Sequence, residues 1–161
     1  MNKIEIKSTL TVFENIDELP VKDRDLMLVA VEARKNAYAP YSKFRVGAAL
    51  LLDNGEIVIG NNQENASYPS GLCAERVAVY QAGSRFPESI IKTIAISASS
   101  DTKDTNLPIP PCGACRQSIA EYEIKQKCPI SIYFMGKTGK IIKSGSLNDL
   151  LPLMFDKSQL M

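Results

Sequence analysis

Three cysteines in two short phrases are the residues of this chain best suited to chemistry. Cys73 opens the phrase Cys-Ala-Glu-Arg, and Cys112 and Cys115 form a Cys-x-x-Cys pair. The chain contains no histidine, so a zinc site would have to be built from thiolates and carboxylates. Three thiolates would leave one of the four tetrahedral positions of zinc open for water, as in catalytic sites.

Two charged residues follow Cys73 closely. Glu75 can lie beside the metal without binding it, where its carboxylate could take a proton from water and deliver it to a substrate. Three thiolates around Zn²⁺ carry one negative charge in excess. Arg76 lies one helical turn after Cys73, and we expect its guanidinium to hydrogen-bond the thiolates and offset that charge.

Two other interpretations of the cysteines stay open. A thioredoxin-like redox pair would use Cys112 and Cys115 but would leave Cys73 without a role. A closed structural zinc site would need a fourth protein ligand, and Cys128 is the remaining cysteine. Cys128 directly precedes Pro129 at the start of a predicted strand, where a small buried apolar side chain is the simpler interpretation.

The composition is that of an ordinary globular protein. Its 161 residues, 45% hydrophobic and 23% charged, predict a single domain over residues 1–161. A net charge of +1 offers no electrostatic footprint for a nucleic acid. Neither a membrane-spanning apolar run nor a secretory start is visible in the sequence, so we expect a cytoplasmic protein with reduced thiols and no membrane partner.

Helices and strands alternate after an initial hairpin, which predicts a three-layer α/β/α domain with a mixed sheet. Apolar periodicity predicts helices over residues 21–38, 73–83 and 112–125. Apolar and β-branched runs predict strands over residues 44–52, 56–60, 90–99, 129–135 and 140–143. Both cysteine phrases then fall at helix amino ends, which favour thiolates. Residues 1–14 could form an edge strand or an ordered arm, and the extension 1–15 receives no functional role.

The cysteine phrases are similar to the signature of zinc-dependent nucleoside and nucleobase deaminases. The finer resemblance is to cytidine deaminases of the small homotetrameric type, which use three cysteines. Further blocks in the family's order carry it: Tyr41–Leu50, Asn62–Pro69, Cys73–Arg76, Pro111–Gln117, and Leu150–Pro152 with Phe155. Together these blocks cover roughly residues 20–156.

This resemblance implies roles for individual residues. Phe44 would lie against the pyrimidine or line its pocket. Asn62 and Glu64 would hydrogen-bond the ribose hydroxyls, with Glu64 accepting from the 3′-OH. The backbone of Ala74, with Tyr68 nearby, would help to seat the base.

The resemblance also implies a fold, an assembly and an activity. The fold would be a five-stranded mixed sheet with helices on both faces, and each subunit would bind one Zn²⁺. The chain would form a homotetramer with sites at subunit interfaces, where Phe155 would stack on the ring bound by a neighbour. The implied reaction is hydrolysis of cytidine and 2′-deoxycytidine to the uridine forms and ammonia, in pyrimidine salvage, with Glu75 moving protons.

Three other functions remain open on the sequence. A cousin of this family would deaminate another cytosine nucleoside such as blasticidin S. An enzyme acting on a nucleic-acid base would need to bind phosphates, which the near-neutral charge and Glu64 disfavour. A zinc-stabilised binding module would hold the metal but release no ammonia.

Overall fold

The computed structural model describes residues 1–160, which contain one six-stranded sheet and three α-helices. The strands are β1 (Leu10–Phe13), β2 (Phe44–Leu52), β3 (Ile57–Asn61), β4 (Ile91–Ser100), β5 (Ser131–Met135) and β6 (Ile141–Ser144). The helices are α1 (Val21–Lys35), α2 (Ala74–Arg85) and α3 (Gly113–Gln126). Within these residues no helix is both long enough and apolar enough to cross a bilayer.

The sheet has the strand order β1-β6-β5-β4-β2-β3 and is mixed. β4 and β5 are parallel, and every other neighbouring pair is antiparallel. Because β3 and β4 both run antiparallel to the β2 strand between them, they run in the same direction. Their carboxyl ends, from which the chain leads to α2 and α3, therefore lie at the same edge of the sheet.

Helices cover both faces of the sheet, which confirms the three-layer α/β/α prediction. Successive residues of β2 point to opposite faces, so Ala48 and Leu50 pack in the core beneath α2 and α3. Ala49 and Leu51 pack in a second core beneath α1. Burial on both faces explains why β2 reads as a continuous apolar run in the sequence.

The prediction of five strands is wrong by one, because β1 forms a sixth strand. Leu10–Phe13 pairs antiparallel with β6, and the ring of Phe13 lies 6.3 Å from that of Tyr133, centroid to centroid. Lys140 also pairs with Glu14 at 3.0 Å. The strand covers backbone groups of β6 that would otherwise form a bare edge. The edge-strand alternative is thus confirmed for these four residues.

Two helix ends differ from the sequence prediction for local reasons. α1 ends at Lys35 rather than Tyr38, because the Tyr38 backbone leaves the helix to hydrogen-bond Asn62 and Glu64 of the loop after β3. α2 continues past Gly83 to Arg85. Gly83 is accommodated inside the helix because Tyr122 of α3 occupies the space of a side chain there.

Gly47 on β2 sets how closely α1 can approach the sheet. A Cβ at this position would stand 2.1 Å from the Ala30 carbonyl oxygen and 2.4 Å from the Arg34 nitrogen. Backbone atoms cannot turn away as a side chain can, so Gly47→Ala is expected to lower the free energy of unfolding by about 3 kcal/mol, measured by urea denaturation. Gly145→Ala is the control, since an added Cβ there meets nothing within 4 Å. Equal stability of the two variants would contradict the close approach.

Candidate metal centre and active site

The amino ends of α2 and α3 carry the cysteines. Cys73 is the N-cap residue of α2 and Cys112 is the N-cap residue of α3, both with extended backbones. An N-cap side chain ordinarily accepts a hydrogen bond from the first helical turn, but neither cysteine does so. Both sulfur atoms are therefore left for other partners, next to the positive ends of two helix dipoles.

The three sulfur atoms form one cluster. The Sγ atoms of Cys73 and Cys112 are 4.0 Å apart, and those of Cys112 and Cys115 are 3.5 Å apart. All three lie within 4.8 Å of one another. Thiolates bound tetrahedrally to zinc at about 2.3 Å stand about 3.8 Å apart, so the donor set fits a zinc ion. Cys128 lies outside this cluster.

Two cysteines of the cluster differ in how readily they ionise. A hydrogen bond from the Cys115 thiol, together with the Arg76 guanidinium and Cys112, lowers the pKa of Cys73 to about 5 against the opposing effect of burial. Donating that hydrogen bond raises the pKa of Cys115, and burial and the charge of Glu75 raise it further. The cluster therefore favours ionisation of Cys73 over that of Cys115.

Glu75 lies in the first turn of α2 and is nearly enclosed, with 5% of its surface exposed. Burial raises the pKa of its carboxyl to about 6, and the charge of Cys73 adds to this effect. A carboxyl group with a raised pKa beside a cluster that could hold a metal ion can both accept and return a proton. The structure thus encloses Glu75 at the amino end of the helix whose N-cap residue is Cys73.

Arg76 faces the cluster from the same helix. Its Nη2 lies 3.9 Å from the Cys73 Sγ and 3.4 Å from the Gly71 carbonyl oxygen. Its Nε is buried without a hydrogen-bond partner among the described residues. The guanidinium therefore lies where it could offset the negative charge of a Cys73 thiolate.

A cleft of about 480 Å³ lies next to the cluster. Five of the predicted site residues line it: Asn62, Glu64, Tyr68, Cys73 and Arg76. The remaining lining residues are Tyr41, Ser42, Gln63, Asn65, Gly71 and Leu72. The loop after β3 builds one wall, and backbone hydrogen bonds between Gln63 and Leu72 at 2.9 and 3.0 Å hold that loop beside Cys73.

Asn62 and Glu64, predicted to bind ribose, are both fixed by hydrogen bonds in this wall. The Asn62 Oδ1 accepts from the Val46 N–H at 2.7 Å, and its Nδ2 donates to the Phe44 carbonyl at 2.9 Å. One amide hydrogen of Asn62 remains for a ligand. The Glu64 carboxylate accepts hydrogen bonds from the backbone of Tyr41 and Ser42.

The residues predicted to seat the base occupy different environments. Phe44 is half-buried at the start of β2, at the sheet edge where β3 and β4 end. Ala74 is fully buried in the first turn of α2. Tyr68 is 76% exposed, and its ring lies 6.3 Å from that of Tyr41. Neither Phe44 nor Ala74 is among the residues that line the cleft.

Phe155 is not among the residues that line the cleft of its own chain and is 57% exposed. Its carbonyl oxygen accepts a hydrogen bond from Gln117 Nε2 at 2.8 Å. The neighbouring Arg116 donates to the carbonyl oxygens of Pro111 at 2.9 Å and Leu150 at 2.8 Å. The two residues after Cys115 therefore fasten the C-terminal segment to the helix that carries the cysteine pair.

Sequence reasoning assigned no role to several residues that shape the site. Ser42, Arg116 and Gln117 stand inside the motifs that carry the family resemblance, so their position in those motifs was a usable signal. Their partners are 22 to 38 residues away along the chain. No local pattern specifies contacts of that range.

Asn62 joins β2 to the loop after β3, so its loss should weaken the fold as well as the site. Asn62→Ala would leave the Val46 N–H and the Phe44 carbonyl without their partners. We expect the free energy of unfolding to fall by about 2 kcal/mol, measured by chemical denaturation. The exposed Asn36 provides the control Asn36→Ala, expected to change stability much less. Wild-type stability of Asn62→Ala would show that the two hydrogen bonds do not support the fold.

Comparison with known proteins agrees with this geometry. Residues 20–130 match the family described as the cytidine and deoxycytidylate deaminase zinc-binding region. A cytidine deaminase of Halalkalibacterium halodurans is 42% identical over 135 residues, 83% of this chain and 94% of the relative. One from Sporosarcina psychrophila is 42% identical over 84% of this chain and 92% of the relative. The crystal structure of a Burkholderia pseudomallei cytidine deaminase superimposes with a TM-score of 0.70 and 37% identity, over 81% of this chain and 97% of that one. The chain belongs to the cytidine and deoxycytidylate deaminase family.

Proposed function

We propose that this chain is a zinc-dependent hydrolase that converts cytidine and 2′-deoxycytidine to the uridine forms and ammonia. One observation carries the proposal. Three sulfur atoms lie within 4.8 Å of one another. One of them belongs to Cys73, which lines a cleft of about 480 Å³, and the buried Glu75 follows Cys73 by two residues in the sequence. Family membership and relatives named cytidine deaminase support the same reaction.

The cysteine cluster supplies the ligands for one zinc ion per subunit. Cys73, Cys112 and Cys115 would hold Zn²⁺, which, when bound, supplies Lewis-acid activation of the attacking water. Three protein ligands leave the position that catalytic zinc sites keep open. Free cysteines of this kind persist in reducing compartments, which supports a cytoplasmic location.

Glu75 is the proposed proton carrier. Its carboxylate takes a proton from water and gives it to ring N3, while the hydroxyl adds to C4 of the pyrimidine. It then carries the proton of the added hydroxyl to the amino group, which leaves as ammonia. Enclosure of Glu75, 5% exposed, restricts exchange with bulk solvent while the carboxyl group carries the hydroxyl proton to the leaving amine.

The cleft wall provides the proposed sugar contacts. Glu64 would accept a hydrogen bond from the 3′-OH, and Asn62 would donate its free amide hydrogen to a ribose hydroxyl. Phe44, Tyr68 and the backbone of Ala74 would seat the base. The exposed Phe155 would complete a neighbour's site in a homotetramer.

The charge of the cleft favours a free nucleoside over a nucleic acid. Arg76 is the one basic residue among those that line it, and its guanidinium is directed at Cys73. Glu64 lies where the sugar would bind and would repel a phosphate attached there. A polymer substrate would instead need cations along its path.

Replacing the proton carrier should abolish turnover without disturbing the metal. Glu75→Gln keeps the size of the side chain but cannot accept the proton, so we expect ammonia release from cytidine to fall at least about 10³-fold while bound zinc stays at the wild-type level. Glu121→Gln, at an exposed position on α3, is the control and should match the wild type. Full activity of Glu75→Gln would refute the mechanism. Faster turnover of blasticidin S than of cytidine by the wild type would favour the cousin activity.

Replacing one ligand should release the metal. Cys112→Ser is expected to lose zinc, measured by elemental analysis after dialysis, and to lower the thermal midpoint, because metal binding adds to folding stability. Cys128→Ser is the matched control, since Cys128 lies outside the cluster, and it should retain one zinc per chain. Stoichiometric zinc in Cys112→Ser, or its loss in Cys128→Ser, would overturn the assignment of ligands.

A further inference from the structure

A turn over residues 40–42, which contributes Tyr41 and Ser42 to the lining of the cleft, hydrogen-bonds the Glu64 carboxylate. The backbone N–H groups of Tyr41 and Ser42 donate to its Oε2 at 2.9 and 3.3 Å. The Ser42 hydroxyl donates to its Oε1. The two carboxylate oxygens are therefore held from separate directions by one short segment, and this fixes the plane of the group.

The turn is held in shape independently of Glu64. Lys43 adopts a left-handed backbone with φ of 57°, which is uncommon for a residue with a side chain. Its N–H donates to the Ala39 carbonyl at 3.2 Å, and its carbonyl accepts from the Asp101 N–H at 2.8 Å. Hydrogen bonds to the N–H and the carbonyl of Lys43 thus stabilise the chain reversal that directs the N–H groups of Tyr41 and Ser42 toward Glu64.

The Ser42 hydroxyl has a defined direction. Its oxygen accepts from the Phe44 N–H at 3.0 Å, so its one hydrogen is available for Glu64. The chain of donors runs from Phe44 through Ser42 to Glu64 and orients each member. Ser42 is consequently more than a surface residue, although its own side chain is exposed.

These contacts leave one defined acceptor position on Glu64. A carboxylate has about four acceptor sites, and the turn occupies two on Oε2 and one on Oε1. Burial alone would raise the pKa of this carboxyl, but the Ser42 hydroxyl and the two N–H groups outweigh it and lower the pKa below its ordinary value. The remaining site on Oε1 therefore belongs to a carboxyl group whose ionised form the turn favours.

We infer that Ser42 is a positioning residue that aims the free site of Glu64 at the 3′-hydroxyl of the sugar, and thereby sets the preference for nucleosides that carry this hydroxyl. The inference rests on the proposed function. Ser42 acts through Glu64 rather than on the reacting atoms. Loss of the Ser42 hydroxyl should therefore weaken substrate binding in proportion to the free energy that the 3′-hydroxyl contributes.

The test compares two substrates that differ only at that hydroxyl. KM and kcat are measured for cytidine and 3′-deoxycytidine with the wild type, Ser42→Ala and Ser42→Thr. For Ser42→Ala we expect KM for cytidine to rise about tenfold with kcat little changed, and kinetics on 3′-deoxycytidine to change less than about twofold. Ser42→Thr keeps the hydroxyl and should restore wild-type kinetics. Ser84→Ala, at an exposed position on α2, controls for the loss of a serine.

A second variant distinguishes the positioning of Glu64 from a nonspecific loss of folding or activity. Glu64→Gln should reduce the preference for cytidine over 3′-deoxycytidine, and adding Ser42→Ala to it should cause little further loss, because the two residues act as one unit. Equal loss by Ser42→Ala on both substrates, or no loss on either, would overturn the inference. If the wild type converts neither cytidine nor 3′-deoxycytidine, that result would instead overturn the proposed function, and the inference with it.

Discussion

The site depends on bringing two helix amino ends to the same edge of one sheet. β3 and β4 run in the same direction on either side of β2, so the segments that follow them both emerge at that edge and enter α2 and α3 on the same face. Cys73 and Cys112 are the N-cap residues of those helices. The positive ends of two helix dipoles and the Arg76 guanidinium favour the negative charge that thiolate ligands would bring to this edge. Strand direction therefore decides whether the cysteines can share an ion.

The rest of the structure maintains this convergence. Gly47 permits α1 to lie against the opposite face of the sheet, so that both faces are covered. Arg116 links the backbone just before Cys112 to Leu150 in the C-terminal segment. Asn62 links β2 to the loop that leads into Cys73. The contacts of Arg116 and Asn62 each join a cysteine-bearing segment to the sheet or to the C-terminal segment, which limits how far the sulfur atoms can separate.

Much of this arrangement could be predicted from the sequence, for identifiable reasons. Apolar periodicity located the three helices and the strands β2 to β6, and the spacing of the cysteines indicated their cluster. The spacing of Leu10 and Val12 could not distinguish an edge strand from an ordered arm, because the strand is formed by pairing with β6, far away along the chain. The hydrogen bonds from the turn at Ser42 to Glu64 could not be predicted either. They require the left-handed backbone of Lys43 and a contact between residues 22 positions apart in the chain. Local spacing thus identified the residue types of the site, while contacts between distant parts of the chain determine how their side chains are oriented.

The most direct measurement of the central claim is X-ray absorption at the zinc edge of the purified protein. Ligation by Cys73, Cys112 and Cys115 predicts three sulfur neighbours at about 2.3 Å and one oxygen or nitrogen neighbour at about 2.0 Å. Four sulfur neighbours would mean a closed structural site that includes Cys128. A shell without sulfur would mean that the cluster does not bind the metal, and either result would contradict the catalytic centre described above.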